Sequence, residues 1–209
     1  MRQLFNPESL VWKPLGYLGD LVTLSLLWIV FSFPLLTLGP ASAALYDTAV
    51  HSMRRKEDPV LTRFFSTFKR ELKQGVLSAL IVLAAFALFF GLARLVIGPT
   101  GSPAYVYALL LLLLLFMLAC LCWLWSVQSR FAMGLGSLFA NSLKLAFGHI
   151  LRSAAMAVLW AAVIYAGLRF ILSLFVCPAA AALLSSVMIE PVFSKYEQSA
   201  PPLDESRKI

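Results

Sequence analysis

Long apolar runs separated by short basic or Gly/Pro-rich stretches set the pattern of this chain. The first run covers residues 17–36, with Asp20 near one end and Pro34 near the other. Further runs cover 76–97, 104–127, 151–172 and, more weakly, 174–193; the third is nearly pure leucine and carries Trp123 and Trp125 towards its end. A helix crossing the hydrocarbon of a bilayer needs roughly 20 apolar residues, so each run predicts a span. Lipid offers no water to a free backbone, and no ten-residue alternation of the barrel kind is visible, so the spans are helical. The expected fold is all-α: a polytopic membrane helical bundle with about five transmembrane helices.

The segments between the runs have their own signatures. The first run ends at Thr37-Leu-Gly-Pro40, and Pro34, Gly39 and Pro40 predict a helix break and restart. Gly39 would permit unusual backbone angles there, and Pro40 suits a first helical turn. The restarted segment closes on Arg54, Arg55 and Lys56, and Asp58-Pro59 punctuates it. Leu61, Phe64, Phe65, Phe68 and Leu72 then recur at helical spacing, with Arg63, Arg70 and Lys73 turned away. This predicts a basic amphipathic helix at the membrane interface that feeds the second span. A second such helix is expected over 130–147, with Phe131, Leu135, Leu138, Phe139 and Ala146 opposite Arg130, Ser137, Asn141 and Lys144. Residues 1–195 read as a single transmembrane domain and 196–209, with Pro201, Pro202 and mixed charge, as a flexible cytoplasmic tail.

Composition agrees with the pattern. With 61% hydrophobic and 13% charged residues and a mean hydropathy of +0.86, the chain holds more apolar side chain than a soluble fold of 209 residues could bury, so its solvent is the lipid bilayer. The net charge of +7 could suggest nucleic acid, but the basic residues cluster between apolar runs, as the positive-inside rule requires, and no nucleic-acid partner is expected. Arg54, Arg55, Lys56, Arg63, Lys69, Arg70 and Lys73 lie between spans one and two, and Arg130, Lys144, Arg152, Lys195, Arg207 and Lys208 fall on the same side. Five spans then place the N-terminus outside and the C-terminus in the cytoplasm, and an even number stays open if the N-terminal stretch or the fifth run only dips into the interface. Residues 1–19 lack the features of a cleaved leader, so the first span is expected to act as an uncleaved insertion signal. Cys120, Cys122 and Cys177 sit in or beside apolar runs without metal-site spacing and read as packing thiols.

Charges near lipid are expensive, roughly 2.5 to 3.5 kcal/mol at mid-membrane, so each asks for a reason. Asp20, Arg94 and Arg169 are expected at the outer ends of spans one, two and four, where they could form an outer polar cluster or simply meet water and headgroups. Glu190, beside Pro191, falls within reach of Lys195 or Arg130, an arrangement for a helix-end ion pair. His51 and His149 lack clustered carboxylates or thiolates, so no metal is expected. No nucleophile turn, phosphate-cradling loop or carboxylate pair is present, so the chain is expected to be no enzyme and to need no cofactor. Ala157, Ala161, Ala162, Ala166 and Ala179 to Ala182 read as close-packing surfaces.

The block Asp20 to Tyr46, DLVTLSLLWIVFSFPLLTLGPASAALY, resembles the YesL family of bacterial membrane proteins of unknown function in its first span, the exit through Pro34, Thr37 and Gly39-Pro40, and the Ala-rich restart. Phe64-Phe65-Ser-Thr-Phe68-Lys69 leading to Lys73-Gln74, the stretch 139–147, and the ending from Pro178 to Tyr196 are similar to the family in the same order. Ser25 stands where a family member often carries Asn. The resemblance implies a multi-pass protein of the bacterial cytoplasmic (plasma) membrane, whose relatives are often encoded beside carbohydrate-uptake ABC transporters. The expected function is a non-enzymatic accessory or scaffold component gripping ABC transporter permease subunits through Phe64, Phe68, Lys69, Lys73, Asn141 and Lys144. The alternative is a small transporter or channel acting as a homo-oligomer, with Asp20, Arg94 and Arg169 lining an outer vestibule.

Overall fold

The computed structural model describes residues 12–98, 101, 103–131 and 133–199. Every regular element among them is helical. α1 (Trp12–Ser32) leads through a 3-10 turn (Leu35–Thr37) into α2 (Leu38–Thr48), which continues directly as a π-helical stretch (Ala49–Arg54). α3 (Val60–Ile97), α4 (Ala104–Arg130), α5 (Leu135–Gly148) and α6 (Ile150–Arg169) follow, then a second 3-10 turn (Ile171–Phe175) and α7 (Cys177–Ser199). Among the described residues Val60–Ile97, Ala104–Arg130, Ile150–Arg169 and Cys177–Ser194 are long and apolar enough to cross a membrane, and Gly16–Ser32 is a shorter apolar helix. The all-α bundle expected from the sequence is the fold. Of the expected tail, 196–199 continue α7 and the rest lies outside the described residues.

The chain reverses at Phe33-Pro34, before Gly39. Pro34 is extended, and the Thr37 hydroxyl, 2.5 Å from the Phe31 carbonyl, donates to an acceptor that the end of α1 leaves without a helical partner, while the Thr37 backbone N–H bonds the Pro34 carbonyl at 2.7 Å. Gly39 and Pro40 sit in the first turn of α2. Pro40 is thus where a first-turn proline belongs, but positive φ is confined to Gly98, Gly101 and Lys56 among the described residues, so Gly39 has a different job. A Cβ on Gly39 would stand 2.1 Å from the Gly75 carbonyl oxygen, and one on Gly75 would stand 2.6 Å from Pro40 Cδ. The start of α2 therefore crosses α3 backbone against backbone.

That crossing explains why α2 is built of small residues. Gly39 through Val50 are all buried, and Ala41, Ser42, Ala43 and Ala44 let neighbouring helices approach from several sides. α1 runs antiparallel to it: Tyr17 Oη donates to the Met53 carbonyl at 3.0 Å and Trp28 Nε1 donates to Ser42 Oγ at 3.1 Å. α3 runs antiparallel on another side, pairing Gly75 with Gly39 and Thr67 with Asp47.

The first expected interfacial helix and the second span are one continuous helix, α3, of 38 residues. At 1.5 Å per residue it is about 57 Å long, well beyond the roughly 30 Å of hydrocarbon. Its inward face differs from the expected stripe. Phe64 and Phe68 are buried, with Thr67, Glu71, Gly75, Ser78 and Ala79, whereas Leu61, Phe65 and Leu72 are exposed. The partner decides the face: Phe31 of α1 packs on Phe64, Phe65 and Phe68 with ring centroids 5.8, 5.4 and 4.9 Å away, while α2 presents an Asp to Thr67. The second interfacial helix is shorter than 130–147. Arg130 closes α4, Phe131 is extended, and α5 buries Leu138, Ser142 and Ala146 while exposing Leu143 and Phe147.

Candidate functional site

Two carboxylates in neighbouring positions organise one end of the bundle. Asp47, near the end of α2, is only 3% exposed, and an isolated buried charge would cost several kcal/mol, so its partners matter. Arg63 approaches it in a fork, Nε at 2.6 Å and Nη2 at 3.1 Å, Thr67 Oγ1 donates at 2.6 Å, and His51 Nδ1 stands 3.1 Å from Oδ1, one helical turn on. Burial alone would raise the Asp47 carboxyl. The hydrogen bonds from Arg63 and Thr67, aided by the charges of His51 and Arg63, outweigh it and hold the group below its ordinary value. Arg63 also reaches Asp58 at 3.3 Å.

Glu190 on α7 gathers the second set. Arg130 Nη2 lies 3.0 and 3.1 Å from its two oxygens, Arg55 Nη2 lies 3.0 Å away, and Tyr46 Oη donates to it at 3.4 Å. The Arg130 guanidinium also stands 5.6 Å from the centroid of the Phe193 ring. The pairing of Glu190 with Arg130 is one of the two contacts read from the sequence; the Lys195 side chain lies outside the described ones. Arg54 Nη1 donates to the Ser186 carbonyl, and Arg70, paired with the buried Glu71, donates to the Ser129 carbonyl at 2.8 Å. Because Tyr46 and Asp47 are adjacent, one stretch of α2 links α3 on one side with α4 and α7 on the other. These carboxylates are occupied in holding helices together.

The remaining sequence candidates fall elsewhere. Asp20 is one turn beyond Tyr17, whose hydroxyl meets Met53 just before the Arg54-Arg55-Lys56 stretch. Arg94 is 34 residues along α3 from Val60, about 50 Å of helix. The structure therefore does not bring Asp20 to Arg94. Asp20, Arg94 and Arg169 are all exposed, and no ion pair joins them among the described residues. Phe64 and Phe68, expected to meet a partner, are internal at 0% and 8% exposure, because α1 and α2 already cover them. Lys69, Lys73 and Lys144 are exposed; Asn141 is half-buried, its amide 3.4 Å from Met133 Sδ. Ser25, fully buried, accepts a hydrogen bond from the Ala179 backbone at 3.2 Å and so satisfies a free N–H in the first turn of α7.

Sequence reading passed over Asp47. The available signal was a lone Asp inside the small-residue run 41–50, with His51 four residues on and an arginine on the next helix. Among the described residues no three His, Cys, Asp or Glu side chains are placed to hold a metal ion.

A cavity of about 470 Å³ lies among α1, α2, α3, α4, α6 and α7, walled mainly by apolar side chains and by the indoles of Trp28, Trp125 and Trp160. Each of its four hydroxyls takes part in a hydrogen bond, that of Tyr46 by donating to Glu190. Ser42 accepts from Trp28, Ser185 accepts from Trp160 at 3.3 Å, and Ser126 donates to the Cys122 carbonyl. The cavity is not enclosed: Ile164 and Leu168 on its wall are also exposed at the protein surface.

Apolar helices of spanning length around a bundle core closed by ion pairs define a multi-pass α-helical membrane protein. Residues 21–91 match the model of a family described as protein of unknown function, DUF624. The YesL-like proteins are that family, and the resemblance carried by Asp20 to Tyr46 is a resemblance to it. The matched stretch runs from α1 through α2 into α3, so it contains the Gly39–Gly75 crossing and the Asp47–Arg63–Thr67 set. No curated protein and no solved structure matches the chain.

Proposed function

We propose that this chain is a non-enzymatic accessory or scaffold component of the bacterial plasma membrane, associated with carbohydrate uptake of the ABC type. The setting comes from the YesL-like resemblance. The observation that supports a scaffold over a transporter is the closed end of the bundle, where Asp47 and Glu190 are engaged by Arg63, Arg55 and Arg130. A sugar path needs hydrogen-bonding groups facing it at mid-membrane, and the large cavity is walled mostly by hydrocarbon with few polar groups. The surface for a partner then shifts from Phe64 and Phe68 to their exposed neighbours Leu61, Phe65 and Leu72, with Lys69 and Lys73 beside them. Affinity purification from native membranes in a mild detergent is expected to recover a transporter permease with the chain, and to lose it when Phe65 and Leu72 become Ser. Recovery of the chain alone, with transport in reconstituted vesicles, would reverse the assignment.

The reading carries an orientation. Because α1 begins beside Met53, at the arginine-rich end, both termini are assigned to the cytoplasm, opposite to the N-outside arrangement that five spans imply. Single cysteines at Gly16 and at Lys56, in a background lacking Cys120, Cys122 and Cys177, test it with a membrane-impermeant thiol reagent. Both sites are expected to stay unlabelled in intact cells and to react after permeabilisation; labelling of Gly16→Cys alone in intact cells restores the N-outside arrangement.

A further inference from the structure

We infer that the cavity among α1, α2, α3, α4, α6 and α7 is a binding site for one acyl chain of a bilayer lipid, entered past Ile164 and Leu168 on α6. The walls argue for hydrocarbon over water. Leu83, Phe86, Leu118, Leu121, Val163 and Leu174 line the space, and the hydroxyls of Ser42, Ser126 and Ser185 already have partners within the protein. A water needs two to four polar partners to settle in a cavity, and along these walls only a few hydroxyls stand among hydrocarbon side chains. The entrance argues for lipid over a soluble ligand. Ile164 and Leu168 line the cavity and are also 48% and 85% exposed, on a helix of spanning length, so the opening faces the same hydrocarbon that solvates α6. The volume falls within the range of small-ligand pockets, and walls so poor in polar groups suit an acyl chain rather than a charged headgroup.

The site stands independently of the scaffold reading, since a transporter could hold the same lipid.

Tryptophan emission gives a direct test, because Trp28, Trp125 and Trp160 all line the cavity whereas Trp123 is fully enclosed and donates to Ser153. The Trp12→Phe chain would be reconstituted into phosphatidylcholine vesicles with acyl chains either plain or brominated at mid-chain. Bromination is expected to remove most emission except the share belonging to Trp123, and acrylamide in the water is expected to remove little. Leu118→Phe and Val163→Phe, which fill the cavity from two helices, are each expected to recover emission in the brominated vesicles; if one does not fold by circular dichroism and gel filtration, the other carries the comparison. Equal quenching in parent and filled variants would mean that only surrounding lipid is sensed. Strong quenching by acrylamide would mean that the cavity is wet. Either result overturns the proposal.

Discussion

Replacing Gly75 by alanine is expected to destabilise the folded bundle by about 3 kcal/mol or more, at or beyond the upper end of what overpacking usually costs. The added Cβ would lie 2.6 Å from both Pro40 Cδ and Pro40 N and 2.9 Å from its Cα. Two of those atoms are backbone and the third belongs to a ring with no rotamer to change, so relief requires α2 to move away from α3. α2 cannot do so cheaply, because Tyr46 and Asp47 tie it to α7 and α3 at its other end. Gly39→Ala should behave alike, its Cβ meeting the Gly75 carbonyl oxygen. The sign is what makes the test informative. Within a helix, Gly to Ala normally gains up to ~1 kcal/mol, and Gly91, on the same α3 with nothing within 4 Å of its would-be Cβ, should show that ordinary gain or no change. Unfolding in detergent micelles, followed by circular dichroism across a denaturant series, compares the three. Gly75→Ala as stable as the parent would show that the helices are not in backbone contact.

The order of apolar helices was legible because hydropathy reports directly on the solvent of each segment. The Glu190–Arg130 pair was legible because a carboxylate at the end of a span has few basic residues within reach. The direction of α1 was not. Counting basic residues assigns sides only when every reversal of the chain is counted, and α2 with its π-helical extension, 17 residues from Leu38 to Arg54, is too short and too rich in Ala, Ser and Gly to register as a run of its own. Missing that one reversal turns α1 over and carries Asp20 from the neighbourhood of Arg94 to that of Met53. The face of α3 failed for a related reason. Leu61, Phe65 and Leu72 are as apolar as Phe64 and Phe68, so periodicity cannot choose between stripes when one faces protein and the other lipid or an interface. The choice belongs to α2, whose Asp47 draws Thr67 and Arg63 to its side and takes Phe64 and Phe68 with them.

Asp47→Ala is the second substitution expected to have a large effect, about 3 kcal/mol, the lower end for breaking a buried pair because Arg63 keeps a quarter of its side chain exposed and can turn partly to Asp58. Most of that loss is the stranding of Arg63 and Thr67, and an apolar pair is often as stable as the ion pair it replaces. The double variant Asp47→Leu with Arg63→Met should therefore recover much of the stability lost in Asp47→Ala, measured in the same micelles. No recovery would mean that Asp47 acts through Thr67 or His51 instead. Acidity offers an independent check. Because the folded carboxyl lies below its ordinary value of 3.8, its contribution is complete above that value and is lost as the pH falls through the folded one. The parent should lose stability below pH 3.8 more steeply than Asp47→Asn, which has no proton to take up at that position. Parallel curves for the two proteins would show that folding does not favour the charged carboxylate, and the electrostatic link between α2 and α3 would have to be abandoned.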